Sequence, residues 1–188
     1  MTIEIEIKLK VENHEPTVQK LKQFGAEFDG DFIQTDTYYD DAEDSLINSD
    51  RCLRIRKHKN HIGEAIELTY KGARENHRFK SRREIGIKVD KADELAEMFK
   101  HLGYKIRLTL EKKRSLWSFR NCKVALDELP MLGKFVEIEG PDDNTIEQVQ
   151  KELGLEKLTH IPQSYAHLME EAVKKAGLKT RSISLDQK

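Results

Sequence analysis

Thr2-Ile3-Glu4-Ile5-Glu6-Ile7-Lys8-Leu9-Lys10-Val11 alternates without a break. Ile3, Ile5, Ile7 and Leu9 fall on one parity; Glu4, Glu6, Lys8 and Lys10 fall on the other. Period two with β-branched residues on the apolar parity predicts a strand with one buried face. The polar parity is the unusual part, because it carries full charges of both signs where threonine, serine or glutamine would serve.

The pattern recurs along the chain. Candidate strands are 32–39, 51–58, 64–72, 78–89, 104–119, 122–129 and 134–139, with 104–119 long enough for two strands or one bent strand. Arg54 and Arg56 share a face opposite Leu53 and Ile55. Glu67, Thr69 and Lys71 lie opposite Leu68 and Tyr70. Arg82 and Glu84 form another pair, as do Lys112 and Arg114. Asp127 follows, then Glu137 and Glu139 opposite Val136 and Ile138. In a strand, residues two apart point the same way, so each set shares a face.

Helical periods interrupt the strands four times. Residues 15–24 begin near Pro16 and stop at Gly25; 91–102 follow Asp90 as N-cap and stop at Gly103; 144–153 stop at Gly154; 164–176 start at Ser164 and stop at Gly177. The absence of periodicity after 177 predicts one domain over 1–177 and a mobile tail over 178–188. One echo spans the chain. Glu4-Ile5-Glu6-Ile7-Lys8 and Glu84-Ile85-Gly86-Ile87-Lys88 each precede a helix that ends in glycine. Charged alternating strands look alike by chance. Otherwise the echo predicts two halves closing one sheet, with Glu84 the counterpart of Glu4 across a central space.

The chain has 188 residues, 37% hydrophobic and 36% charged, with a net charge of −1. One domain is the natural reading, and the charged share exceeds the roughly 25% of ordinary globular chains. Near-neutral balance argues against a nucleic-acid partner. Two cysteines suit a reducing compartment, the charged N-terminus is no signal peptide, and no apolar run reaches the roughly 18 residues of a membrane span. The expectation is a soluble cytoplasmic protein without a membrane partner.

One charged strand face is ordinarily a face in water. Eight such strands make a sheet that tends to curl and close. The four helices need an apolar surface, and the strands offer only one. The fold expected is therefore α+β: an antiparallel eight-stranded barrel with its apolar face outward against the helices and a charged lumen. A charged lumen is costly unless its charges pair or bind something ionic, and six carboxylates facing seven cations exceed what internal pairing settles. A polyanion with divalent metal answers both signs. Carboxylates are hard donors for Mg²⁺ or Mn²⁺, and Arg and Lys fix phosphates. Two ions would leave one for the phosphate chain and one to activate a nucleophile, and a triphosphate fits such a site.

Other chemistry is weak. There is no Walker-type loop and no GxGxxG. His58 and His61 flank an expected hairpin and read as solvated turn residues. Cys52 and Cys122 lack a neighbouring His or helix N-terminus, so neither reads as a nucleophile. Trp117 and Phe119 read as packing residues.

Taken together and in order, these elements resemble the CYTH, or triphosphate tunnel metalloenzyme, superfamily. The resemblance rests on Glu4-x-Glu6-x-Lys8, Leu53-Arg54-Ile55-Arg56, Thr69-x-Lys71, Arg82-x-Glu84, Lys112-x-Arg114, Leu126-Asp127, the Leu132-to-Glu139 hairpin and Ser164-Tyr165-x-x-Leu168. It spans about residues 1–176. It implies an eight-stranded tunnel, Mg²⁺ or Mn²⁺ as two ions, and a triphosphate substrate. It also implies Glu4, Glu6, Glu137 and Glu139 as metal ligands assisted by Glu84 and Asp127. Lys8, Arg54, Arg56, Lys71, Arg82, Lys112 and Arg114 would hold phosphates, with Glu4, Glu6, Lys8, Lys112 and Arg114 closest to the reaction. Many members carry a second acid where this chain has Gly86, which bears on the second ion. The N-terminal strand, the hairpin and the C-terminal helix look most like the class IV adenylate cyclases. The expected activity is ATP to cyclic AMP and pyrophosphate. A triphosphate hydrolase and a non-catalytic polyphosphate binder are the alternatives; the oligomeric state is open, with a homodimer one option if the outer face leaves apolar area exposed.

Overall fold

The alternating N-terminal stretch is strand β1 (Thr2–Val11), one of eight in a closed ring. The computed structural model describes residues 2–75 and 78–186; Met1, Asn76, His77, Gln187 and Lys188 lie outside them. After β1 come β2 (Glu27–Asp40), β3 (Cys52–Lys59), β4 (Glu64–Glu75), β5 (Lys80–Val89), β6 (Lys105–Phe119), β7 (Cys122–Leu129) and β8 (Gly133–Gly140). The ring runs β2-β3-β4-β5-β1-β8-β7-β6, and β6 pairs back onto β2. Every ring pair is antiparallel. Closure removes the open edges of a long sheet.

The ring carries the internal echo. Exchanging β1 with β5, β2 with β6, β3 with β7 and β4 with β8 leaves its order unchanged. The placement expected for Glu84 is nevertheless wrong. β1 and β5 are neighbours, with Glu84 opposite Thr2 and Glu4 opposite Arg82, so the two glutamates lie side by side. Lys71 Nζ reaches both, at 2.5 Å from Glu4 and 2.9 Å from Glu84.

Helices pack on the apolar outer face. Leu21 of α1 (Glu15–Gln23) and Ile146 and Val149 of α4 (Asp143–Glu152) bury against Ile7, Leu9, Val136 and Ile138. Each such fully buried side chain contributes about 1.5–3 kcal/mol relative to exposure. Ala92 and Phe99 of α3 (Ala92–His101) pack on Tyr39 and Ile55. The last helix, α5 (Tyr165–Lys175), lies differently. Its Tyr165, Met169 and Val173 meet Leu108, Leu110, Leu129 and Phe135, which share strand parity with the lumen charges. Where α5 covers it the lumen face is apolar, so α5 closes that end.

Five details refine or depart from expectation. β2 starts at Glu27 because Gly30, at φ +136°, carries a register shift that masks the alternation. β6 takes the one-strand form of the two expected, with Arg107 its extra, unpaired residue opposite the Tyr38/Tyr39 step of β2. A four-residue helix, α2 (Ser45–Asn48), is too short to show a period; the Asp40 carboxylate accepts the N–H groups of Leu46 and Ile47. The N-cap of α3 is Lys91, without a side-chain bond, rather than Asp90. Beyond Gly177, two residues form β9 (Ser182–Ile183) parallel to β6, and Ile183 is buried. Two residues cannot display an alternation, so no sequence signal marks this anchor. Among the described residues no helix is long and apolar enough to cross a membrane.

Candidate active site

The lumen encloses a cavity of about 460 Å³. Glu4, Glu6, Lys8, Arg54, Arg56, Lys71, Arg82, Lys112, Arg114, Glu137 and Glu139 line it. Two residues expected there stand back from it. Glu84 is held on Lys71, and Asp127 is fully buried behind Lys112 and Arg114.

On one wall, cations rest on two buried aspartates. Asp36 of β2 lies opposite Arg56 of β3 and accepts its Nε and Nη2 at 2.5 and 2.6 Å. Arg54 Nη1 is 3.8 Å from the same carboxylate, and its Nη2 donates to Thr69 Oγ1 at 3.3 Å. Asp127 of β7 lies opposite Arg114 of β6, accepting its Nε and Nη2 at 2.7 and 2.5 Å, and accepts Lys112 Nζ at 3.2 Å. Bidentate geometry fixes both guanidinium planes. Burial opposes the Asp36 charge, but Arg56 and Arg54 outweigh it and hold the carboxyl well below its ordinary range. Burial and the Arg114 charge push the Lys112 ammonium down to about 7, against the pull of Asp127.

The facing wall is acidic. In register across β5, β1 and β8 stand Lys80, Glu6 and Glu139, with Glu6 bonded to Lys80. One step along β1, Lys8 faces Glu137 at 3.5 Å, and Arg114 Nη2 reaches Glu137 at 2.5 Å. Burial disfavours the Glu6 charge, yet Lys80, Lys8 and Lys71 bring its carboxyl down to about 2. Glu137 is likewise held well below its ordinary range; burial is overcome by Lys8, Arg114 and Lys112. Glu4 goes the other way, raised by burial and by Glu6 and Glu84 despite Lys71. Among the described residues Glu139 has no ion pair. Burial, Glu4 and Glu6 push it up to about 7, an effect moderated by the solvent at its exposed edge.

This donor set fits Mg²⁺ or Mn²⁺ by its chemistry. Glu4, Glu6 and Glu139 offer hard oxygens on adjacent strands, and carboxylates directly opposite repel until a cation joins them. Among the described residues no three His, Cys, Asp or Glu side chains already form a metal cage, because lysines stand between the glutamates.

At the start of α5, Lys8 Nζ donates to the Gln163 carbonyl at 2.8 Å and sits 4.1 Å from the Tyr165 ring centre. Arg107 ties Glu170 of α5, at 2.6 Å, to Asp44 before α2, at 3.2 Å. Arg82 is engaged with Asp50 and the Gly72 carbonyl, so it braces the loop after α2. Ile47, Asn48 and Leu53 also line the cavity, together with the charged Asp50, Arg51 and Arg74.

Sequence reasoning missed Asp36, Lys80 and Asp50. Asp36 shares parity with Gln34 and Tyr38, and Lys80 with Arg82 and Glu84, so alternation carried both signals. Nothing in the sequence marks Asp50. His58 is not a solvated turn residue: it belongs to β3, and its Nδ1 is 2.9 Å from Gln34 Nε2. His61 does lie in the exposed turn. A Cβ on Gly86 would sit 2.5 Å from Glu67 Oε1, so the Glu67 carboxylate fills the space beside this glycine. Burial raises the thiols of Cys52 and, to about 11, Cys122, which leaves both poor nucleophiles. Trp117 and Phe119 are core residues.

A family profile described as CYTH domain matches residues 2–165. A Methanocaldococcus jannaschii protein named "Putative adenylate cyclase MJ0240" is 29% identical over 175 residues, covering 88% of this chain and 98% of its own length. A solved Pyrococcus horikoshii protein, PH1819, superposes with a TM-score of 0.77 at 28% identity, over 89% of this chain and 98% of that one. A Hippeastrum protein shares the fold, with a TM-score of 0.66 at 17% identity over 96% of this chain and 98% of that one. It is described as a "putative adenylyl cyclase" with dominant triphosphatase activity.

Proposed function

The chain belongs to the CYTH domain family, and from that premise we propose that it is a divalent-metal-dependent adenylate cyclase converting ATP to cyclic AMP and pyrophosphate. What supports this choice of substrate is that the cavity lining includes, besides the lumen charges, the uncharged Ile47, Asn48 and Leu53 beside Asp50, Arg51 and Arg74. Inorganic triphosphate would leave that region unused; a base and ribose would occupy it.

Arg54, Arg56, Lys112 and Arg114 hold the phosphate chain on the cationic wall, and Lys8 and Lys71 reach it from the acidic side. Glu4, Glu6 and Glu139, with Glu137 and Glu84 beside them, would hold Mg²⁺ or Mn²⁺, two ions in the full site. When bound, the metal supplies a Lewis acid that lowers the pKa of a coordinated hydroxyl and screens phosphate charge. The ribose 3′-hydroxyl gives its proton to solvent water, its oxygen forms a bond to the α-phosphorus, and the bond from that phosphorus to the β-phosphate bridging oxygen breaks with its electron pair leaving on pyrophosphate. Charge grows on the departing pyrophosphate, where preset guanidinium and ammonium donors stabilise it without reorganisation. Asp127, implied as a ligand by the resemblance, serves here as a positioning residue. It has no surface toward the cavity and fixes Arg114 and Lys112.

The competing reading is hydrolysis, with water in place of the hydroxyl. The similarly folded Hippeastrum protein supports keeping it, since fold does not choose the nucleophile. Product analysis decides. ATP, inorganic triphosphate and thiamine triphosphate are each incubated with Mg²⁺ and with Mn²⁺. Cyclic AMP with pyrophosphate is the expected result. Orthophosphate without cyclic AMP establishes the hydrolase, and substrate binding without any product establishes a binder.

A further inference from the structure

Lys80 lines the lumen, and neither the motifs nor the mechanism uses it. It opens β5, where the neighbouring Phe79 is buried in the outer core and meets His160 edge to face, so its backbone is fixed. Its ammonium points into the lumen and bonds the Glu6 carboxylate; the two side chains are 12% and 10% exposed. Across the sheet the order is Lys80, Glu6, Glu139, all in register. Glu6 thus stands between a lysine on one neighbouring strand and an unpaired carboxylate on the other. Lys80 also acts at a distance, favouring the charged form of Glu137 and disfavouring that of Lys8.

We propose that Lys80 is a built-in counter-ion that stands in for the divalent cation on Glu6, keeping metal affinity low in the empty lumen and coupling metal entry to arrival of the phosphate chain. The argument is competitive. A lysine bonded to Glu6 and a divalent ion cannot both take the same carboxylate oxygens at full strength. A dication approaching Glu6 and Glu139 also meets the Lys80 charge at close range. A phosphate chain gives that ammonium another anion to turn to, so polyphosphate relieves the competition and tightens metal binding; coupling of this kind is reciprocal. The inference rests on the proposed metal site at Glu4, Glu6 and Glu139.

The test is Mn²⁺ binding to the full chain by calorimetry, with and without inorganic tripolyphosphate, for wild type, Lys80→Met and Lys80→Arg. Mn²⁺ alone should bind Lys80→Met about tenfold tighter than wild type, within the usual range of coupled sites. Tripolyphosphate should strengthen Mn²⁺ binding in wild type and in Lys80→Arg, and much less in Lys80→Met. Because Lys80→Met strands Glu6, its melting temperature should drop without metal and recover with Mn²⁺ by a larger shift than wild type shows. Equal Mn²⁺ affinities and equal thermal shifts in wild type and Lys80→Met would overturn the role of Lys80. Failure of wild type to bind Mn²⁺ even with tripolyphosphate would overturn the metal site itself, and with it this inference.

Discussion

On the wall built by β2, β3, β6 and β7, four cations rest on two aspartates; on the wall built around β1, five glutamates face three lysines. The chain as a whole carries a net charge of only −1, which hides this segregation. Internal pairing goes further than the charge count alone suggests, yet each wall keeps a surplus of one sign. The surplus shows as Lys112 pushed down to about 7 on one side and Glu139 pushed up to about 7 on the other. An anion relieves the first and a cation the second. The two walls together therefore describe a site for a metal and a polyphosphate at once, where either alone would leave half the strain in place.

The largest break in this arrangement should come from Arg114→Ala. It takes from Asp127 and Glu137 the guanidinium they share, leaving them Lys112 and Lys8, and should cost about 3 kcal/mol of stability by urea denaturation. It should also lower kcat/KM by about a hundredfold or more if the guanidinium meets developing charge. A kcat/KM equal to wild type would remove Arg114 from the reaction. Asp36→Asn should come next, losing about 1.5–3 kcal/mol because two buried guanidinium groups lose a charged acceptor. Tripolyphosphate should then raise its melting temperature more than it raises that of wild type. Equal shifts would take Arg54 and Arg56 off the phosphate wall.

Glu139→Gln sharpens the acidic side through pH. The folded pKa of Glu139, about 7, lies above its ordinary value of 4.5. The folded state therefore holds more protons across that window, and its stability falls as pH rises from about 4.5 to 7. Glu6 has the opposite sign: its contribution is present above 4.5 and is lost as pH falls toward about 2. Metal-free wild type should lose stability between about pH 5 and pH 7, below the range where the depressed Lys112 ammonium contributes the opposite slope, and Glu139→Gln should flatten that limb while weakening stabilisation by Mn²⁺. Superimposable pH curves would contradict the assignment. The smallest effect is expected from Gly86→Ala. Its added Cβ meets only the far end of a flexible, partly exposed Glu67 side chain, so stability should change by less than about 0.5 kcal/mol. A larger loss in thermal denaturation would mean that the Glu67 carboxylate is held where it is.

Much of this was readable from alternation. Parity placed Glu4, Glu6 and Lys8 on one face and Arg54 with Arg56 on another, and a side chain's face depends only on its own strand. Neighbour relations were harder to read. Glu84 lies beside Glu4 because β1 and β5 pair, a fact of ring order that no local pattern encodes. Asp36 and Lys80 were visible as charges of the right parity but not as partners of Arg56 and Glu6, which depends on register. The loop around Asp50 left no trace, since Arg82 finds it only after β3, β4 and β5 have assembled.

The central claim is that metal and phosphate occupy opposite walls. Its most direct test is a crystal structure with Mn²⁺ and α,β-methylene-ATP, the metal located by anomalous scattering. The account predicts Mn²⁺ within coordination distance of glutamates among Glu4, Glu6 and Glu139, and phosphate oxygens on Arg54, Arg56, Lys112 and Arg114. Mn²⁺ without a glutamate ligand from that set, or a phosphate chain lying away from those four cations, would contradict it.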